Sequence, residues 1–86
     1  MNAVFTQHAL NQMEEREVDR PDVNRLLRLL DRVTKTPGGL DNSSDVVLIS
    51  RDSDSATYIV RVGSLRVVLI SDTSKDKIFV ANVYHN

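Results

Sequence analysis

Two arginines, five positions apart in the run Tyr58-Ile-Val-Arg61-Val-Gly63-Ser64-Leu-Arg66-Val-Val-Leu-Ile70, are the residues best placed to do chemistry in this chain. Gly63-Ser64 has the composition of a two-residue hairpin loop. Closing the loop there pairs Val62 with Leu65 and Arg61 with Arg66. Directly opposed side chains on one sheet face hold their Cβ atoms about 5 Å apart, so the two guanidinium groups repel each other unless an anion lies between them. A phosphate is one such anion. The alternatives are a pair splayed into water and a pair salt-bridged to loop carboxylates.

Four further residues could join such a site. His85 closes the last apolar run beside Tyr84, and a histidine titrates near neutrality. It could therefore take a proton from a 2′-hydroxyl or give one to a leaving oxygen, while the arginines stabilise charge on the reacting phosphate. His8 and Arg16 lie in the first helical segment. The Tyr84 phenol could hold a phosphate or stack on a base. Against these roles stand plainer ones: exposed bystanders for both histidines and packing for Tyr84. No glycine-rich phosphate loop occurs, since Pro37-Gly38-Gly39 reads as a turn, and no carboxylates show metal-ligand spacing. Asp52 and Asp54 fall in a predicted hairpin turn, where such side chains usually bond local backbone. Neither cofactor nor metal is expected.

Two kinds of element must position these groups. Thr6 can cap a first helix running to about Glu17, with Ala9, Leu10, Met13 and Glu17 on one side and His8, Gln12 and Glu15 on the other. A second helix should start at Asp19, with Pro21 tolerated in its first turn, and carry Val23, Leu26, Leu27, Leu30 and Val33 as its apolar stripe. Arg25, Arg28 and Arg32 lie opposite that stripe, either as a solvated polar face or as a surface for a phosphate or partner. Turn formers over 36–45 end the helical half. The period then changes to two, with strands expected at 46–51, 56–62, 65–71 and 77–85 joined by short polar turns. The expected fold is α+β: two N-terminal helices packed on a four-stranded antiparallel sheet, with residues 1–86 forming one domain. In strands two and three, Tyr58, Val60, Val62, Leu65, Val67 and Leu69 share one face. Ile59, Val68 and Ile70 share the other with the arginines, and two helices can cover only the first.

Composition narrows the function classes. A formal charge of −1 argues against nucleic-acid binding by bulk electrostatics, so any such role must rest on local basic patches. The absence of cysteine excludes disulfides, thiolate metal sites and a cysteine nucleophile, and suits a reducing compartment. Met1–Thr6 lacks the character of a signal peptide, and no apolar run approaches the roughly 20 residues that span a bilayer. A cytoplasmic protein without membrane attachment is expected.

The combination resembles a known group. His8-Ala9, Met13-Glu14-Glu15-Arg16 and Asp19 ahead of the second helix are similar to the start of small bacterial proteins related to RelE, in particular the DUF4258 type. The hairpin Arg61-Val-Gly-Ser-Leu-Arg66-Val and the closing Ile78-Phe-Val-Ala-Asn-Val-Tyr-His85 resemble the corresponding strands of RelE and ParE toxins, although those end His-Arg where this chain has His85-Asn86. The resemblance implies a metal-independent endoribonuclease toxin that cleaves RNA, ribosome-bound messenger RNA included, by 2′-hydroxyl attack. A cognate antitoxin would silence it. By the same resemblance Arg61 and Arg66 would bind the scissile phosphate, His85 would be the acid or base, and His8 and Arg16 would form an N-terminal polar cluster. The alternative is a non-catalytic module on the same fold acting on a protein partner, as ParE-type proteins do, and the low net charge favours it.

Overall fold

The computed structural model describes residues 2–36, 39–40 and 46–85. Its elements follow the order β1 (Asn2–Phe5), α1 (Gln7–Glu15), α2 (Arg20–Lys35), β2 (Val46–Arg51), β3 (Ser55–Val62), β4 (Leu65–Asp72) and β5 (Lys77–His85). The strands form one five-stranded sheet in the order β1-β5-β4-β3-β2. From β2 to β5 the sheet is an antiparallel meander, as the alternation of apolar residues predicts.

One strand departs from the expected architecture. Asn2–Phe5 pairs parallel with β5, setting Ala3 against Ile78 and Phe5 against Val80, so the sheet is mixed and five-stranded and a strand precedes the helices. Four residues are too few to display a period-two pattern, and the partner lies more than 70 positions away, so nothing local marks this strand. Most of the turn segment expected over 36–45 lies outside the described residues, at 37, 38 and 41–45.

Thr6 caps α1 as expected, its hydroxyl oxygen accepting from the Ala9 amide at 3.1 Å. The same hydroxyl donates to the Val80 carbonyl at 3.1 Å, so the cap also ties the helix to β5. The helix ends at Glu15, two residues earlier than predicted, because Glu17 adopts a left-handed backbone at φ 48°. Asp19 occupies the N-cap position of α2 but makes no side-chain capping bond, and Pro21 sits in the first turn. The buried face of α2 is Asp22, Leu26, Leu29, Leu30 and Val33, while Leu27, placed in the stripe by periodicity, is 47% exposed.

The helices pack on one face of the sheet, α1 against β5 and α2 against β3 and β1. There Leu26 meets a floor that includes Val60, Leu65, Val67, Leu69, Ile78, Val80 and Val83, each 1% exposed or less. Burying a side chain of this size contributes about 1.5–3 kcal/mol, so this single layer dominates stability. On the second face Ile59, Val68, Ile70 and Phe79 remain half-buried. Among the described residues, no helix is long and apolar enough to cross a membrane.

A bulge in β5 decides what each face presents. Val80 pairs with Leu69 and Asn82 with Val68, leaving Ala81 as an extra residue. An extra residue reverses the alternation beyond it. Val83 therefore joins Ile78 and Val80 in the core, Tyr84 turns to the second face, and His85 turns to the helix side.

Candidate nucleic-acid interface

The Gly63-Ser64 hairpin forms in the expected register. Val62 pairs with Leu65 and Arg61 with Arg66, and Gly63 takes the positive φ of 58° that the tight turn requires. On β5 the partner of Arg66 is Tyr84, whose ring centroid lies 6.0 Å from the guanidinium carbon, at the outer range of a cation–π contact. Arg61, Arg66 and Tyr84 thus form one row across three strands on the face the helices leave open. Arg61 is exposed, and Arg66 and Tyr84 are half-buried. Two cations and an aromatic face in one row match the chemistry of a phosphate with its adjoining base.

The turn itself is anchored from α2. Asp22 is 6% exposed, and it accepts from the Ser64 hydroxyl at 2.5 Å and from Arg25 Nη1 at 3.3 Å. Periodicity placed Val23 rather than Asp22 on the inward face; the position of an acid three residues ahead of Arg25 was the available signal, but its partner Ser64 is 42 residues away. A side chain at Gly63 would run into the Asp22 carboxylate, so the turn needs glycine for space as well as for conformation.

The other predicted residues lie elsewhere. Bulge parity sets His85 beside buried Leu65, and its Nε2 is 3.0 Å from the Arg16 carbonyl at the end of α1. The structure therefore does not bring His85 to the arginine pair. Arg16 donates from Nη1 to the Val83 carbonyl at 2.6 Å, and Gln12 Oε1 accepts from the Val83 amide at 2.7 Å. These two side chains satisfy the edge of β5 beyond the point where β1 stops pairing, so Gln12 faces the sheet rather than solvent. His8 is exposed on α1, a helix that packs on β5 from the core side.

Two concavities lie among the described residues. A groove of about 300 Å³ lies between α2 and the hairpin, lined by Arg25, Arg28, Leu29, Arg32, Arg61, Val62 and Gly63. It joins the basic face of α2 to the arginine row through Arg61. A larger cavity of about 420 Å³ lies at the far end, between the C-terminal end of α2 and the β2–β3 turn, with Tyr58 and several serine and threonine hydroxyls in its wall. It contains none of the predicted site residues. Among the described residues, no group of three or more His, Asp or Glu side chains could hold a metal ion.

No family model matches this chain, so the narrower likeness to the DUF4258 type gains no support, and no curated protein matches it. Its fold is nonetheless a known one. It is similar to a chain in the crystal structure of the archaeal RelE–RelB complex from Pyrococcus horikoshii OT3, with a TM-score of 0.78 over 98% of this chain and 92% of that one, at 14% sequence identity. The chain has the RelE-like fold.

Proposed function

We propose that the protein is a RelE-type toxin that acts on RNA in the cytoplasm, with the Arg61–Arg66–Tyr84 row as its RNA-binding surface and a cognate antitoxin as its partner. The row carries the reading: two opposed guanidinium groups offer a phosphate donors from neighbouring strands, and the phenol ring beside them offers a base a stacking surface. The similarity to a chain crystallised as a RelE–RelB complex supports the toxin–antitoxin assignment.

The reaction proposed is transesterification within the RNA. The substrate's 2′-hydroxyl oxygen bonds to the adjacent phosphorus and the bond to the 5′-oxygen breaks, leaving a 2′,3′-cyclic phosphate and a 5′-hydroxyl. Arg61 and Arg66 align the phosphate and stabilise the charge that accumulates on its oxygens. With His85 turned to the helix side, the 2′-hydroxyl proton leaves to water and the 5′-oxygen takes one from water. Forgoing positioned acid–base catalysis costs about 10²–10⁴-fold in rate, so slow cleavage is expected. Incubation of the purified protein with an RNA oligonucleotide and a metal chelator tests this. Cyclic-phosphate ends that vanish in Arg61→Ala and Arg66→Ala support it; undiminished cleavage in both variants refutes it.

The position of His85 favours a second reading, a non-catalytic module whose open face receives a protein partner over Ile59, Val68, Ile70 and Phe79. Growth arrest on expression, without RNA cleavage and with a protein held on that face, would select this alternative.

A further inference from the structure

The arginines of α2 follow a regular helical interval. Arg25, Arg28 and Arg32 stand at i, i+3 and i+7, on one face and spanning about 10 Å along the axis. Arg61 lines the same groove from the strand side. Arg25 shares Asp22 with Ser64, whereas among the described residues Arg28, Arg32 and Arg61 have no ion-pair partner. The nearby acid Asp31 is taken by Lys35 at 2.9 Å. A chain of net charge −1 thus concentrates unneutralised cations along one groove.

We propose that this groove extends the RNA-binding track: a single strand held at the Arg61–Arg66–Tyr84 row passes the Gly63-Ser64 turn and lays its next phosphates along Arg28 and Arg32. The inference rests on the reading of the row as an RNA site. Two observations favour a phosphate backbone over an acidic peptide. The apolar floor of the groove is nearly inaccessible, with Leu29 7% and Val62 6% exposed, so an amphipathic segment finds no anchor there. The cations repeat along a line of about 10 Å, as the successive phosphates of one strand do. Arg61 belongs to both the row and the groove and makes the track continuous.

The test compares the full-length wild type, the Arg28→Gln/Arg32→Gln double variant and Arg66→Ala. Each is titrated with labelled oligouridylates of about 4 and about 12 nucleotides, and with polyglutamate, over a range of salt concentrations. Arg28 and Arg32 are exposed, so the double variant should keep the wild-type circular dichroism and melting temperature. Expected for the double variant is unchanged affinity for the short oligomer and about tenfold weaker affinity for the long one. Its salt slope should also fall by about 1.4, the loss of two phosphate contacts at about 0.7 each. Arg28→Lys/Arg32→Lys should restore most of the slope. Wild-type affinity and slope on the long oligomer, with Arg66→Ala weakened on both lengths, would overturn the extended track and leave the RNA reading standing. No effect of any variant on either length would overturn both. Loss of binding to polyglutamate alone would assign the groove to an acidic peptide and overturn the proposal.

Discussion

The hydroxyl of Ser64 donates to the buried Asp22 carboxylate at 2.5 Å, fastening the first turn of α2 to the hairpin that carries Arg61 and Arg66. With the packing of α2 on β3, this bond holds the basic face of the helix and the arginine row in a fixed relation. Ser64→Ala leaves the carboxylate with the Arg25 contact but without its shortest donor. It should cost about 1–2 kcal/mol in urea denaturation, because a buried acceptor loses its partner. A variant as stable as the wild type would remove this bond from the account.

Gly63 meets the same carboxylate from the other side. Gly63→Ala combines an unfavourable positive φ with a collision against Asp22, and should cost about 2 kcal/mol or more. In an Asp22→Ala background the collision with the carboxylate disappears, leaving the backbone cost and a 2.9 Å approach to the flexible end of the Arg25 side chain. A double-mutant cycle on the two positions should therefore show coupling, and strictly additive losses would contradict the close approach.

Gln12 and Arg16 together hold the amide and carbonyl of Val83. Gln12→Ala should speed hydrogen exchange at the Val83 amide about tenfold, with amides of the β3–β4 ladder little affected. For Arg16→Ala the same arrangement implies lower stability with unchanged RNA affinity. Weakened RNA binding in a fully stable Arg16→Ala protein would return Arg16 to the RNA surface.

In the β4–β5 turn, the Ser74 hydroxyl donates to Asp72 Oδ1 at 2.7 Å and holds that carboxyl below the ordinary aspartate value, with help from the Lys75 amide at 3.2 Å and the Lys75 charge. A pKa lowered by folding contributes stability that is present above the unfolded-state value and is lost as pH falls through the folded one. Ser74→Ala should move the Asp72 midpoint upward in an NMR titration and flatten the acid limb of the stability curve. An unmoved midpoint would show that the hydroxyl is not the cause.

Much of this arrangement is legible in the sequence because it is local. Gly63-Ser64 between alternating runs fixes the hairpin register, and with it the Arg61–Arg66 pair. Thr6 marks the start of α1. What escapes a sequence reading depends on distant partners. The strand Asn2–Phe5 exists because β5 offers it an edge, and Asp22 is buried because Ser64 lies over it. The extra residue at Ala81 has no compositional mark, yet it reverses the parity of the last four residues of β5 and exchanges the faces of Tyr84 and His85. An uninterrupted strand would have set His85 beside the arginines, as the resemblance implies.

That exchange makes the comparison of Tyr84→Ala with His85→Ala, in the affinity of the protein for a short single-stranded RNA, the most direct test of where the binding row lies. Losing one stacked base costs about 1–3 kcal/mol, so Tyr84→Ala should bind about 5–150-fold more weakly while His85→Ala binds like the wild type. Full affinity in Tyr84→Ala together with a large loss in His85→Ala would contradict the account.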